Sequence, residues 1–332
     1  MAKLCYVDDS LPDIARQKKG QAWAYFDAKG KRITDRDEID RLNAVALPPA
    51  YVDAWFCPSP DGHIQATAYD DKGRKQYRYH PDFRAKQENA KYDRCAAFGR
   101  ALPLIRARVE ADLRRTAISK ERAVAAVVRL LDLGQIRVGN EAYAKANKSF
   151  GATTLRNRHA DVKGSTLKLS YRAKSGKQRV MAITDGSLAR FVKRCQDLPG
   201  QHLFQYLDEA GEAHPVTSTD VNDYLRETAG EDFTAKHFRT WGASVIAFAA
   251  LQDAKCAIGL KSLLAPVAEA LGNTPAISRK SYVHPALLAL AGARGENALP
   301  LHLPRATRYL SRIERGLIDY LEGPQSKRAI AA

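Results

Sequence analysis

Part-way along this chain the apolar residues change their period, and no other feature of the sequence limits the fold as much. Up to about residue 83, short apolar runs between turn residues read as strands. Runs at 52–57 and 63–69 flank the turn Pro58-Ser59-Pro60-Asp61-Gly62. A further run at 21–26, entered from Lys18-Lys19-Gly20 and left through Ala28-Lys29-Gly30-Lys31, reads as part of a hairpin. Thr34-Asp35-Arg36-Asp37 resembles a capping box with Asp in place of Glu; it opens one short helix with Ile39, Leu42 and Val45 as its stripe and Pro48-Pro49 as its stop. Residues 86–94 are polar and charged and read as a linker able to act as a hinge.

Beyond that stretch the pattern is helical. Residues 96–113 form one segment, and Ser119 caps another that turns Ala123, Val124, Val127, Val128, Leu130 and Leu131 inward and stops at Gly134. Further helices are expected at 187–195, from Ser218 or Thr219 through Arg226, from the cap Thr234 to about Ala254, and over 304–321, where the stripe is Tyr309, Leu310, Ile313, Leu317 and Leu321. Only 153–156, 166–172 and 179–184 alternate like strands. The expectation is an α+β chain of two lobes. Residues 1–85 form a small β-rich domain, 86–94 a linker, and 95–332 a larger, mostly α-helical domain with a small three-stranded sheet.

Charge narrows the partner. Among 332 residues, Lys and Arg exceed Asp and Glu by 16, and the pI is near 9.6. A surface of that sign binds polyanions by releasing their condensed counterions, so nucleic acid is the first candidate. A membrane surface is the second, weakened by the lack of a long apolar run or a lipidation motif. Met1-Ala2-Lys3-Leu4-Cys5 does not lead into the apolar core of a secretory signal. Five scattered cysteines with no Cys-x-x-Cys pair fit reduced thiols in a cytosolic protein and argue against structural zinc.

Several short motifs invite a chemical reading, although each alone has an ordinary structural one. In Gly73-Arg74-Lys75-Gln76-Tyr77-Arg78-Tyr79-His80, strand periodicity puts Lys75, Tyr77 and Tyr79 on one face. They suit contacts along a duplex backbone if exposed, and a domain core if not. Arg137, in Gln135-Ile136-Arg137-Val138-Gly139-Asn140, is pinned between Gly134 and Gly139. Lys174 sits at the tip of the hairpin Ala173-Lys174-Ser175-Gly176-Lys177, and Arg239 lies beside the buried stripe of its helix. Thr274-Pro275 reads as an N-cap with proline at the first helical position, placing Tyr282 about two turns along, just after Arg279 and Lys280.

The order Arg137, Lys174, Arg239, Tyr282, with the motifs around them, resembles the type IB DNA topoisomerases, specifically the small poxvirus-like enzymes of bacteria. The resemblance runs from Gly-Arg-Lys-Gln-Tyr-Arg-Tyr-His through Ile-Arg-Val-Gly-Asn, Lys-Ser-Gly-Lys and Lys-His-Phe-Arg-Thr-Trp to Gly-Asn-Thr-Pro-Ala-Ile-Ser-Arg-Lys-Ser-Tyr. It implies the fold of the DNA breaking-rejoining enzymes, shared with tyrosine recombinases, and relaxation of positive and negative supercoils through a 3′-phosphotyrosyl intermediate. Tyr282 would be the nucleophile, Arg137 and Arg239 the phosphate ligands, and Lys174 the general acid. Asn273 stands where poxviral and eukaryotic members carry histidine, as an uncharged phosphate contact. Lys75, Gln76, Tyr77, Tyr79, Arg279 and Lys280 would bind DNA.

The implied partner is duplex DNA, clamped by a monomer in the cytoplasm in association with the nucleoid. No cofactor, metal or ATP is implied, since the covalent link conserves the bond energy; the chain also has no Gly-x-x-x-x-Gly-Lys-Ser/Thr. Two rival readings are a tyrosine recombinase, whose His-x-x-Arg is Lys236-His237-Phe238-Arg239 here, and a noncatalytic duplex-binding protein, which would not need the tetrad. Ala173, where glycine is common before the hairpin lysine, puts the fine geometry of that turn in question. The tail Lys327-Arg328 has no assigned role.

Overall fold

The computed structural model describes residues 4–20, 22–71, 73–292, 299, 302–324 and 326; the tail Lys327-Arg328 lies outside them. The chain divides into two compact units, one ending at Lys91 and the other starting at Tyr92.

The first unit is an antiparallel sheet. β1 (Ile14–Lys19) and β2 (Ala22–Phe26) form a hairpin turning at Gly20, where φ is +61° and a side chain would be strained. This corrects the expected hairpin. The turn after Phe26 exists, with Asp27 N–H donating to Lys31 O, but only the single bridge Phe26–Arg32 follows it. After α1 (Arg36–Ala44) come β3 (Val52–Phe56), β4 (Ile64–Tyr69) and β5 (Lys75–Tyr79), in the sheet order β2-β1-β3-β4-β5. Asp35, rather than Thr34, caps α1, its carboxylate accepting from the N–H groups of Asp37 at 2.9 Å and Glu38 at 3.3 Å. Leu42 of α1 is buried with Ile14, Tyr25, Phe56, Ala66 and Ala68 of the sheet. β5 is left at an edge.

α2 (Pro81–Arg114) is one uninterrupted helix. The polar stretch 86–94, read from the sequence as a linker able to act as a hinge, lies within this helix, because charged residues interrupt helices far less than proline or glycine do. α3 (Lys120–Gly134), capped by Ser119, is buried almost all round and forms the axis of the second unit. It ends on Gln135 in the left-handed region, φ +52°. α4 (Glu141–Asn147) follows. Residues 153–156 are a 3₁₀ turn and its exit, not a strand. The Thr154 hydroxyl bonds the N–H and carbonyl of Gly151, which favours a turn over a ladder, and the Thr153 hydroxyl donates to Val138 O. The third strand lies further on, in the sheet of β6 (Ala160–Lys163), β7 (Thr166–Arg172) and β8 (Gln178–Thr184), ordered β6-β7-β8.

α5 (Gly186–Gln196), the small hairpin of β9 (Gln205–Leu207) and β10 (Ala213–Pro215), and α6 (Ser218–Ala229), capped by Thr217, complete the packing around α3. α7 (Ala235–Asp253), α8 (Leu260–Leu271), α9 (Pro275–Ser281) and α10 (Pro285–Ala289) then carry the chain through the stretch expected to hold chemistry. α11 (Arg312–Glu322) is shorter than the expected 304–321 helix, because Ser311 supplies the cap and accepts from Glu314 N–H at 3.2 Å. Among the described residues no helix is long and apolar enough to cross a membrane.

Two histidines of the second unit are buried and neutral. His159 and His284 are each pushed down to about 4, in both cases chiefly by burial and for His159 also by Arg158 and Arg156. Each accepts a main-chain hydrogen bond at Nδ1, from Arg156 and Ala286 respectively. Their folded pKa lies below the unfolded value near 6.5, so the unfolded chain takes up more protons between the two values. Stability is at its full value above about pH 6.5 and falls as pH drops towards 4. The melting temperature is expected to decline from pH 7 to pH 4.5, and the His284→Asn variant, which keeps a capping acceptor, to decline less steeply. A slope unchanged by that substitution contradicts the assignment.

Candidate active site

The fold gathers four of the predicted residues around one cleft. Arg137, Lys174, Arg239 and Tyr282 all line a cavity of about 360 Å³, together with Lys236, Tyr143 and the backbone of Gly139 and Gly151. They arrive from four different elements: the segment after α3, the β7–β8 hairpin, the start of α7 and the end of α9.

Arg137 is placed by two glycines in contact. Gly139 has φ +102°, and a Cβ added to Gly151 would lie 2.6 Å from both the Arg137 carbonyl oxygen and the Gly139 nitrogen. With no side chain in the way, Ala152 N–H donates to Arg137 O at 2.8 Å and Thr153 N–H to Val138 O at 2.7 Å. The loop is thus fixed along its backbone, and the half-buried guanidinium is free to point elsewhere. It donates to Asn273 Oδ1 at 3.0 Å. Arginine can only donate, so this contact fixes the amide: the oxygen faces Arg137 and Nδ2, buried and without a partner, remains a donor.

Arg239 is the most buried of the four, at 3% exposure. Its guanidinium donates to the main-chain oxygens of Gln135 and, at 3.1 Å, Leu271, while Nε has no partner. Those carbonyls are at the C-terminal ends of α3 and α8, where the helix dipole favours a cation. Burial lowers the pKa of Arg239, as do Arg137 and Arg179 nearby, while the range of a guanidinium keeps it charged. The ring of Tyr282 lies over it, 4.8 Å from ring centre to guanidinium carbon.

Tyr282 is the residue after α9 rather than a position two turns inside a longer helix. Thr274 caps α9 and Pro275 occupies its first position, as read from the sequence, but the helix closes at Ser281. Ser278 O receives the N–H groups of both Tyr282 and Val283 at 3.1 Å. His284 N–H is then held by Ser244 Oγ of α7 at 3.2 Å. The tyrosine is thereby half-buried against α7, near Arg239. Burial raises its pKa, but the charge and hydrogen bond of Arg239, with Arg137 and Lys236, outweigh that and hold the hydroxyl below its usual value near 10.

Lys174 is exposed at the hairpin tip. Ala173 sits at φ −89°, ψ −176°, which any residue adopts; the left-handed positions are Ser175 at φ +64° and Gly176 at φ +75°. Alanine at 173 therefore causes no strain. Arg279 and Lys280 are exposed in the last turn of α9. In the first unit Tyr77 and Tyr79 are 40% and 46% exposed and stack on each other at 5.8 Å, so they are not core residues. Lys75 pairs with Asp9 at 2.8 Å and Gln76 donates to Asp70 at 3.0 Å, which ties both to their own unit.

Residues 80–286 match the family model of the eukaryotic DNA topoisomerase I catalytic core, and residues 22–70 match that of the bacterial DNA topoisomerase IB N-terminal domain. The chain belongs to the type IB DNA topoisomerase family. The family includes the DNA topoisomerase 1B of Acanthamoeba polyphaga mimivirus, 31% identical over 287 residues that cover 82% of this chain and 85% of the viral one. It also includes the vaccinia virus enzyme (strain Copenhagen), 23% identical over 67% of this chain and 70% of its own. A solved XerH site-specific recombinase bound to its palindromic difH substrate aligns over 54% of this chain and 47% of its own, at 16% identity and a TM-score of 0.36. As a type IB topoisomerase the chain is an isomerase, and the match at 22–70 is to a topoisomerase domain rather than a recombinase one.

Lys236, which in the sequence only separates the topoisomerase pattern from the recombinase one, lines the cleft, as do Tyr143 and Gly151, which no motif marks. Gly151 carries a direct test, because Gly151→Ala presses backbone against the Arg137 loop. Strand cleavage is expected to slow by about 100-fold, the cost of a shift near 1 Å in a reacting group, while duplex affinity changes by less than about threefold because few phosphate contacts are lost. Equal losses in both would show that the glycine contact does not position Arg137.

Proposed function

We propose that this topoisomerase relaxes supercoiled duplex DNA by cutting and resealing one strand through Tyr282. The observation that carries the proposal is the convergence of a tyrosine of lowered pKa with two arginines and a hairpin lysine on one cleft. The Tyr282 oxygen attacks a backbone phosphorus and its proton passes to solvent. The bond from phosphorus to the 5′-oxygen breaks, leaving a 3′-phosphotyrosyl link. Charge that gathers on the nonbridging oxygens is met by Arg137, Arg239 and the free amide donor of Asn273. Lys174 gives its proton to the departing 5′-oxygen. The 5′-hydroxyl later attacks the phosphotyrosine in reverse, returning the proton to Lys174 and releasing Tyr282.

No step calls on ATP, because the phosphodiester becomes a phosphotyrosine and back with little loss of bond energy. None calls on a metal, since cationic side chains stand at the positions where charge develops. The chain acts as a monomer that clamps duplex DNA, with Arg279 and Lys280 beside the nucleophile and the exposed Tyr77 and Tyr79 of β5, flanked by Lys75 and Gln76, on the backbone. Free thiols at all five cysteines suit a reducing cytoplasm, and the net charge of +16 suits residence on the nucleoid. The purified protein is expected to relax positively and negatively supercoiled plasmid in EDTA without ATP. A requirement for magnesium or ATP overturns this mechanism. For Lys174→Ala, a substrate with sulfur at the 5′-bridging position should recover most of the lost cleavage rate, because sulfur leaves without a proton. Failure to recover it removes Lys174 from the role of acid.

A further inference from the structure

Arg179 belongs to no motif in the sequence, yet it stands behind the cleft. It lies on β8 directly across from Tyr171, five residues past Lys174. Its guanidinium donates to Gly134 O at 3.3 Å, to Ala270 O and, at the limit of 3.5 Å, to Glu269 O, while its Nε is buried without a partner. One arginine thus joins the last turn of α3 to the last turn of α8. Arg239 joins the next residue of each helix exit, Gln135 O and Leu271 O. Two residues further along each exit, Arg137 meets Asn273. The two exits run side by side as three rungs: 134 with 270, 135 with 271, and 137 with 273.

The last rung consists of groups that face the phosphate. The first is Arg179 alone. Two features show that it is built for this place. Gly272 ends α8 at φ +63°, with its own N–H on Glu269 O and Asn273 N–H on Ala268 O, the paired hydrogen bonds of a helix stop. A Cβ there would lie 2.6 Å from Arg179 Nη1, so the guanidinium occupies the space a side chain would need. The Tyr171 hydroxyl is buried beside this rung: burial raises its pKa, and the charges of Arg179, Arg239 and Arg137 act against that rise. Carbonyls at two helix ends supply the partial negative charge that lets Arg179 stay in this cationic neighbourhood.

We propose that Arg179 is a positioning residue of the cleavage reaction: by bridging the ends of α3 and α8 it sets the register that brings Arg137, Arg239 and Asn273 onto one phosphate. This rests on the assignment of those three residues to the scissile phosphate. Lysine keeps the charge but lacks the planar fork that spans two carbonyls.

The test uses the full chain as Arg179→Ala, Arg179→Lys, Asn273→Ala and the double variant Arg179→Ala/Asn273→Ala, with single-turnover formation of the covalent adduct on a duplex oligonucleotide. For Arg179→Ala the rate constant should fall by roughly 30- to 100-fold, and for Arg179→Lys by less than about tenfold, with duplex affinity within about threefold of the parent. The 5′-bridging sulfur substrate should not rescue Arg179→Ala, because the defect lies in the phosphate cradle rather than in Lys174. The double variant should be far less impaired than the product of the two single losses, since Arg179 acts by placing the rung that holds Asn273. A purely structural role would lower the adduct amplitude and the melting temperature but leave the rate constant of the folded fraction unchanged; that result overturns the proposal. Rescue by sulfur, or losses that multiply, overturn it as well. If the parent chain forms an adduct but Asn273→Ala alone cleaves at the parent rate, the phosphate assignment itself fails and the inference falls with it; a parental rate for Arg179→Ala alone, with Asn273→Ala impaired, sinks only the inference.

Discussion

The second unit is organised around a buried guanidinium that rests on main-chain carbonyls. Arg239 is almost wholly shielded, and the oxygens of Gln135 and Leu271 compensate its charge only in part. A carboxylate at the same place would neutralise it and cancel its attraction for a phosphate. Carbonyls at helix ends hold the cation while leaving its net charge intact. The lowered pKa of Tyr282, the approach of α8 to α3 and the cationic character of the cleft all depend on that arrangement.

This dependence explains why the elements end where they do. α3 stops on a left-handed Gln135 and α8 on the glycine stop Gly272, so each offers its last carbonyls to the same pair of arginines. α9 is only seven residues long, and its early closure leaves Tyr282 as a cap residue in contact with α7 instead of on an exposed helix face. Asn273, in the link between α8 and α9, is fixed by Arg137 and keeps its Nδ2 as an unpartnered donor. Where histidine can bring charge, asparagine brings orientation; the surrounding arginines carry the charge here.

Much of the site was legible in the sequence because its residues sit in motifs whose order is informative: the Gly-bounded arginine, the hairpin lysine, the Thr-capped helix with Arg239 and the Thr-Pro start before Tyr282. The helical second lobe and four strands of the first followed from periodicity, whereas β1 did not. What was not legible depends on contacts between distant segments. Arg179 looks like any basic residue on a strand until its carbonyl partners, some 45 and 91 residues away, are known. Gly151 matters because of what a Cβ would strike. At 153–156 threonines suggest a strand, whereas the Thr154 hydroxyl turns back on Gly151 and the Thr153 hydroxyl reaches Val138 O of the Arg137 loop. At 86–94 polarity alone does not show that the stretch is helical, since charge does not set backbone conformation.

The central claim is that the oxygen of Tyr282 forms a bond to a 3′-phosphate at this cleft. Mass spectrometry of the covalent complex, trapped with denaturant on a duplex oligonucleotide and digested with trypsin and nuclease, tests it most directly. The account predicts a single modified peptide, with the nucleotide joined through its 3′-phosphate to Tyr282. Attachment at Tyr143, which lines the same cleft, or a linkage through a 5′-phosphate would contradict it.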